Sequence, residues 1–156
     1  MSDAIAVGSD QLGFELKQEL AAYLEERGYQ VVDYGTRSAE ENEDYPDVAE
    51  RVATAVAQGR HDRAILVCGT GIGMAITANK VPGVRAAQAG DTYSAERARK
   101  SNNAQVLALG ALTVAREVAK DIVDHWLDAE FQGGRSAPKV AKIERVERTH
   151  LRASAS

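Results

Sequence analysis

Residues 64–74 read AILVCGTGIGM: four apolar residues suited to a buried strand, then Cys68, then glycines at positions 69, 71 and 73. Glycines at alternate positions let the chain turn sharply and present several backbone N–H groups together. With a helix beginning near Ile72, the positive end of that helix adds to the same field. An apolar run leading directly into a glycine turn and a helix is a joint of a parallel α/β sheet.

The same alternation continues on both sides. Ala4–Gly8 (AIAVG) reads as a first strand, followed by Leu16, Leu20, Tyr23 and Leu24 at helical spacing and Gly28 as the stop. Gln30–Tyr34 reads as a second strand, and the acidic run Glu40–Asp44 as a solvated loop closed by Pro46. Asp47 is placed to cap a helix carrying Val48, Val52 and Val56 on one stripe. Downstream, Val84–Gln88 is a weak fourth strand, and Asp91 or Thr92 caps a helix ending near Ser101. Val106–Leu109 is the fifth strand; Val118, Ile122 and Trp126 then share one helix face, with Val114 and Leu127 at its edges. Past Gly133 and Gly134, the basic stretch Lys139–Arg148 reads as helix. A single domain is expected over residues 1–150, with a frayed end over Leu151–Ser156. Five strands alternating with helices predict a parallel sheet with right-handed crossovers. Ligands of such sheets bind outside the carboxyl ends of the strands, here after Gly8, Val67 and Leu109.

Composition narrows the function classes. The 156 residues are 44% hydrophobic and 27% charged, ordinary for one globular domain. A net charge of −4 disfavours nucleic acid and anionic membranes as partners, so any anion must be held by local positive features. No run approaches the ~18 apolar residues of a membrane span, and no signal-like segment opens the chain. One cysteine excludes an internal disulfide and fits a reducing compartment, so a cytoplasmic location is expected.

The glycine loop itself excludes familiar phosphate chemistries. It lacks the Lys-Ser/Thr ending of a P-loop, and its glycines read GxGxG and follow the third strand, unlike a dinucleotide fingerprint. The place of arginine in a Cys-x5-Arg phosphatase loop is taken by Met74. What remains is a nest for a phosphate or an enediolate. Cys68 is either a small buried residue closing the strand or a base beside that nest, and local residues leave both open. Thr70 is either a proton relay between neighbouring oxygens or a plain turn residue.

Five segments carry a wider resemblance: VGSDQLGFELK (7–17), DYPDVAERVA (44–53), ILVCGTGIGMAITANKVPGVRAA (65–87), DTYSAERAR (91–99) and NNAQVLALGA (102–111). Together they resemble the ribose-5-phosphate isomerase B and galactose-6-phosphate isomerase family, over about residues 5–143. The resemblance implies a Rossmann-like α/β/α sandwich with a five-stranded parallel sheet and a C-terminal helical tail. It also implies cofactor-free, metal-free aldose–ketose isomerisation of a small sugar phosphate. The protein would be a homodimer or homotetramer whose active sites are shared between subunits. By the same resemblance Cys68 is the base, Thr70 assists proton transfer between oxygens, and the amides of Gly69, Gly71, Ile72 and Gly73 stabilise the enediolate. Asp10 orients hydroxyls, Tyr45 lines the site, Asn102 reaches it from the neighbour, Arg135 with Lys139 holds phosphate, and Gln11 and Ser101 fall at substrate-binding positions of the family. On residue chemistry alone Asp10 is equally a helix cap, Tyr45 packing, and Arg135 or Lys139 a solvated charge.

The departures from the family point to the substrate. Members acting on cyclic pentose phosphates usually carry histidine where this chain has Gln11, Ser101 and Ser136. The chain's own histidines, His61, His125 and His150, lie in positions that read as surface or structural. A serine hydroxyl cannot shuttle protons near neutrality as imidazole does, so a ring-opening acid is missing. Such an enzyme should prefer a substrate already open-chain, as the tetrose 4-phosphates are. The segments SNNAQ (101–105) and GRSAPKV (134–140) also resemble the D-erythrulose-4-phosphate isomerase branch. Ribose 5-phosphate is the alternative substrate, and a non-catalytic sugar-phosphate-binding subunit the alternative role; an AKIE segment (141–144) resembles the hetero-oligomeric branch. Leu112 stands where many relatives carry arginine, and Lys139 near a second tail arginine, which weakens the bidentate holding of phosphate.

Overall fold

The three apolar runs ending at Ser9, Cys68 and Gly110 become the buried centre of one parallel sheet. The computed structural model describes residues 4–155; residues 1–3 and Ser156 lie outside them. Strands β1 (Ile5–Ser9), β2 (Val31–Asp33), β3 (Ala64–Cys68), β4 (Ala86–Gln88) and β5 (Val106–Gly110) are ordered β2-β1-β3-β5-β4. Every pairing is parallel. Residues Ile5–Ser9, Ala64–Cys68 and Val106–Gly110 are all buried, as continuous apolar strands covered on both faces must be. Helices α1 (Phe14–Glu26), α2 (Tyr45–Ala57), α3 (Ile72–Ala78), α4 (Thr92–Lys100) and α5 (Arg116–Asp128) make the two outer layers. A short 3-10 turn, Gly134–Ser136, leads into α6 (Ala137–Ala155). This is the α/β class expected from the sequence.

Alternation along the strands divides the core. Val7, Ile65, Val67, Leu107 and Leu109 face Leu16, Leu20 and Leu24 of α1 and Ile122 and Trp126 of α5. Ala6, Ala64, Leu66, Cys68 and Ala108 face Val48 and Val52 of α2 and Met74 of α3. The second face is built of smaller side chains, and the reason is visible at Gly8. A Cβ there would lie 2.8 Å from Val48 Cγ1, so glycine lets α2 sit down on β1. Each fully buried leucine, Leu20 and Leu24 among them, contributes about 2 kcal/mol.

Several local expectations need correction. α2 begins at Tyr45 with Asp44 as its extended N-cap; Asp47 lies inside the first turn, because proline is accommodated there and the helix starts earlier. Val118 is exposed on α5, where Ala119 and Val123 complete the inward face beside Ile122 and Trp126. β2 and β4, both at sheet edges, are shorter than their apolar runs, and Val84 is buried in the loop before β4. α6 spans Ala137–Ala155, and Ser156 lies outside the described residues. No helix among the described residues is long and apolar enough to cross a membrane.

Candidate active site

The chain enters β2 on one side of β1 and β3 on the other, so the sheet's switch point lies between β1 and β3. Their carboxyl ends deliver Asp10 and Cys68 to the same crevice. Asp10 N–H donates to the Val67 carbonyl at 3.3 Å, tying the two ends together. Gly13 must be glycine for this joint, since a Cβ would fall 2.3 Å from the Val67 carbonyl oxygen.

Cys68 is buried at 5% exposure, and Gly71 N–H donates to its Sγ at 3.1 Å. That amide is aimed at the sulfur because Gly71 adopts φ +82° and caps α3. Side chains other than glycine resist this conformation, and the space is closed as well: a Cβ would meet the Leu109 backbone carbon at 2.9 Å. Thr70 is exposed, with its Oγ1 accepting from Ile72 N–H at 3.2 Å and its carbonyl from Gln88 Nε2 at 3.3 Å. Two amides of the expected nest, those of Gly71 and Ile72, are thus turned to Cys68 and Thr70 within the loop. Gly73 is the seat of Tyr45: a Cβ there would lie 2.3 Å from the Tyr45 ring, which is itself 41% exposed.

Asp10 is half-buried and accepts from Gly13 N–H at 3.0 Å, so it closes its own turn while keeping a second carboxylate oxygen. Gln11 is exposed and donates through Nε2 to the Ala39 carbonyl at 2.7 Å, bridging to the loop that leads to Tyr45. The base of that loop is held by Lys17. Only 1% exposed, it pairs with Asp33 at 2.9 Å and donates to the buried Thr36 carbonyl. Arg51 and the Thr36 hydroxyl both hold Glu43, keeping its carboxyl below the ordinary carboxylate value. Lys17, Gln88 and Leu12 escape the sequence reading, which takes Leu112 only as a departure from the arginine of many relatives. The two leucines stand in the segments after β1 and β5, where exposed apolar residues in turns are the signal.

The remaining predicted residues lie elsewhere in this chain. α4 runs back from the end of β4, so its C-terminus is at the amino end of the sheet. Ser101 is its C-cap, with Oγ accepting from Arg97 Nε at 2.9 Å. Asn102 lines a cleft of about 510 Å³ with Asn79, Arg85, Ile143 and Val146. On α4 itself, burial and the neighbouring Arg63 charge push the Arg99 guanidinium down to about 10, where it donates to the Ala104 carbonyl. Gln132 N–H donates to the Lys100 carbonyl, which ties the approach to exposed Arg135 and Lys139 to that same end. One chain therefore brings together Cys68, Thr70, Asp10, Gln11 and Tyr45, but not Ser101, Asn102, Arg135 or Lys139. Of the histidines, His61 is buried between the Ala4 carbonyl and the Tyr34 hydroxyl, His125 bonds the Asp121 carbonyl on α5, and His150 lies on α6.

Comparison with known proteins agrees with this architecture. The ribose/galactose isomerase family model matches residues 5–143. The chain is 58% identical over 140 residues to D-erythrulose-4-phosphate isomerase of Pectobacterium atrosepticum, covering 90% of this chain and 92% of that one. It is 51% identical over 145 residues to ribose-5-phosphate isomerase B of Listeria innocua, covering 92% and 96%. The structure of Clostridium thermocellum ribose-5-phosphate isomerase B superposes with a TM-score of 0.92 at 50% identity, covering 94% of this chain and 99% of that one. A crevice at the β1–β3 switch point, a thiol held in its glycine loop and matches of this extent identify the chain as an isomerase of the ribose/galactose isomerase family.

Proposed function

We propose that this protein is a sugar-phosphate isomerase, one domain over residues 1–150, that interconverts D-erythrulose 4-phosphate and D-erythrose 4-phosphate without a cofactor. The observation that carries this reading is the thiol of Cys68 in the glycine loop, with the chain's three imidazoles all bonded or placed elsewhere. A base without a ring-opening acid suits a substrate whose carbonyl is already free. The D-erythrulose-4-phosphate isomerase at 58% identity supports the same choice. Relatives named ribose-5-phosphate isomerase B, at 51% and 50% identity, favour ribose 5-phosphate as the second reading.

In the forward direction Cys68 thiolate removes a proton from C1 of the ketose. The C–H electron pair becomes the C1=C2 bond, and the carbonyl oxygen at C2 takes the negative charge. Loop amides from Gly69 to Gly73 stabilise that enediolate; the Gly71 amide serves the sulfur while the thiolate is charged, and the Ile72 amide is released to the substrate when the Thr70 hydroxyl turns to the sugar oxygens. Thr70 passes a proton from the oxygen on C1 to the oxygen on C2. Cys68 returns its proton to C2, completing the aldose. Asp10, Gln11 and Tyr45 orient the hydroxyls. Ser101, Asn102, Arg135 and Lys139 complete the site from a second copy, so the working form is a homodimer or homotetramer. The single free thiol fits the reducing cytoplasm.

The test is turnover of erythrulose 4-phosphate and ribose 5-phosphate by the purified protein, with Cys68→Ser alongside. A tetrose preference above about tenfold in kcat/KM supports the reading. Loss of a general base lowers turnover about 10²–10⁴-fold while ligand binding persists. Full activity of Cys68→Ser refutes the base; equal or better use of ribose 5-phosphate refutes the substrate. Activity should also fall on dilution as subunits separate.

A further inference from the structure

Two large apolar side chains stand exposed at the mouth of the crevice, Leu12 at 61% and Leu112 at 71%. They come from different turns, one after β1 and one after β5, yet converge on one point. A Cβ on Gly69 would lie 3.3 Å from Leu12 Cδ1 and 3.4 Å from Leu112 Cδ1. Single exposed leucines are ordinary, but two meeting over the residue next to Cys68 form a wall.

The wall is held by backbone. Leu112 N–H donates to the Gly69 carbonyl at 2.9 Å, and Ala111 N–H to the Cys68 carbonyl at 2.8 Å. The turn bearing Leu12 is anchored by the bond from Asp10 N–H to the Val67 carbonyl and the close seating of Gly13. Both turns are therefore fixed to the last residues of β3, which holds the two main-chain positions, and so the roots of both side chains, at the mouth of the crevice.

We propose that Leu12 and Leu112 are specificity-determining residues: an apolar wall that packs against the carbon chain of a short sugar phosphate and limits its length. This rests on the isomerase reading and deepens it. C–H edges of a bound substrate cover the leucines and expel water beside the developing enediolate, where charge interactions strengthen. An additional hydroxylated carbon would press a hydroxyl against methyl groups, stripping its water without a new hydrogen bond. A tetrose phosphate avoids that penalty and a pentose phosphate incurs it.

The experiment compares wild type, Leu12→Ser, Leu112→Ser and the control Val118→Ser, an exposed residue on the outside of α5. kcat/KM is measured for erythrulose 4-phosphate and for ribose 5-phosphate, with melting temperature and oligomeric state as checks. Each leucine variant should reduce the tetrose-to-pentose ratio about tenfold, mainly through KM, while Val118→Ser leaves it unchanged. Leu112→Val, which stays apolar but lacks the δ-methyl that reaches over Gly69, should fall between. Ratios within twofold of wild type in both leucine variants would overturn the proposal, as would a loss of oligomer with the ratio intact. If wild type ignores the tetrose, the substrate reading fails separately; the wall then predicts a shift from ribose 5-phosphate toward hexose 6-phosphate in the same variants, and no such shift refutes it.

Discussion

Replacing Gly71 by alanine strikes the loop at its most constrained point, and the cost divides into two parts. The first is conformational: φ is +82°, where an L side chain costs about 1–2 kcal/mol. The second is steric, because the new Cβ would lie 2.9 Å from the carbonyl carbon of Leu109 and 3.1 Å from that of Ala108. Those atoms belong to β5, buried between β3 and β4, and cannot yield as a flexible side chain would. Overpacking of this kind adds about 1–3 kcal/mol. The total is about 3 kcal/mol, or a fall of roughly 9 °C in Tm for a chain of this size. Gly59 supplies the internal reference: its φ is +79°, but a Cβ there would meet nothing within 4 Å. Gly59→Ala should lose only the conformational part, about 3 °C. Thermal and urea unfolding of both variants separates the parts, and turnover reports whether the amide at Cys68 has moved. Equal losses in the two variants would refute the steric account, and undiminished turnover in a folded Gly71→Ala protein would refute a role for that amide.

Gly73→Ala sets a Cβ 2.3 Å from the Tyr45 ring, so its destabilisation should largely vanish in a Tyr45→Ala background; a double-mutant cycle in urea should give a coupling above about 1 kcal/mol. Lys17→Met keeps the buried stem but strands the Thr36 carbonyl, while Asp33, 39% exposed, regains water; denaturant titration should register about 2 kcal/mol. The bond to Arg51, aided by the Thr36 hydroxyl, lowers the pKa of Glu43 from 4.5. Its stabilisation is therefore complete above about pH 4.5 and is lost as pH falls through the lower folded value. Arg51→Ala should reduce stability at neutral pH and flatten that acid limb, as followed by unfolding between pH 3 and 7.

The joint from Ala64 to Met74 was legible because strand, glycine turn and helix all depend on local residue type. The start of α2 was not, because Asp44 and Asp47 are both sound capping residues and the choice depends on how Tyr45 seats on Gly73. Val118 keeps i, i+4 spacing with Ile122 and Trp126, but the buried face of α5 is centred one position further round, on Ala119, Ile122, Val123 and Trp126, which leaves Val118 at its exposed edge. Asp10, Gln11, Cys68 and Thr70 follow the ends of β1 and β3, where ligands of such sheets bind, whereas Tyr45 is reached only through the resemblance to the isomerase family. Lys17 is reached by neither route: a lysine at helical spacing reads as solvated, and its burial follows from the path of the β2–α2 loop around it. The separation of Ser101 from Cys68 likewise follows from the direction of α4, which residue types alone do not convey.

The turns carrying Leu12 and Leu112 meet the end of β3 through main-chain groups, and main-chain bonds are indifferent to the side chains they carry. Substitutions at those two positions can therefore alter what the crevice admits without retuning the machinery beneath it. A lineage could exchange one sugar for another by a few point changes at its rim, with the cysteine, its amide and the sheet inherited intact.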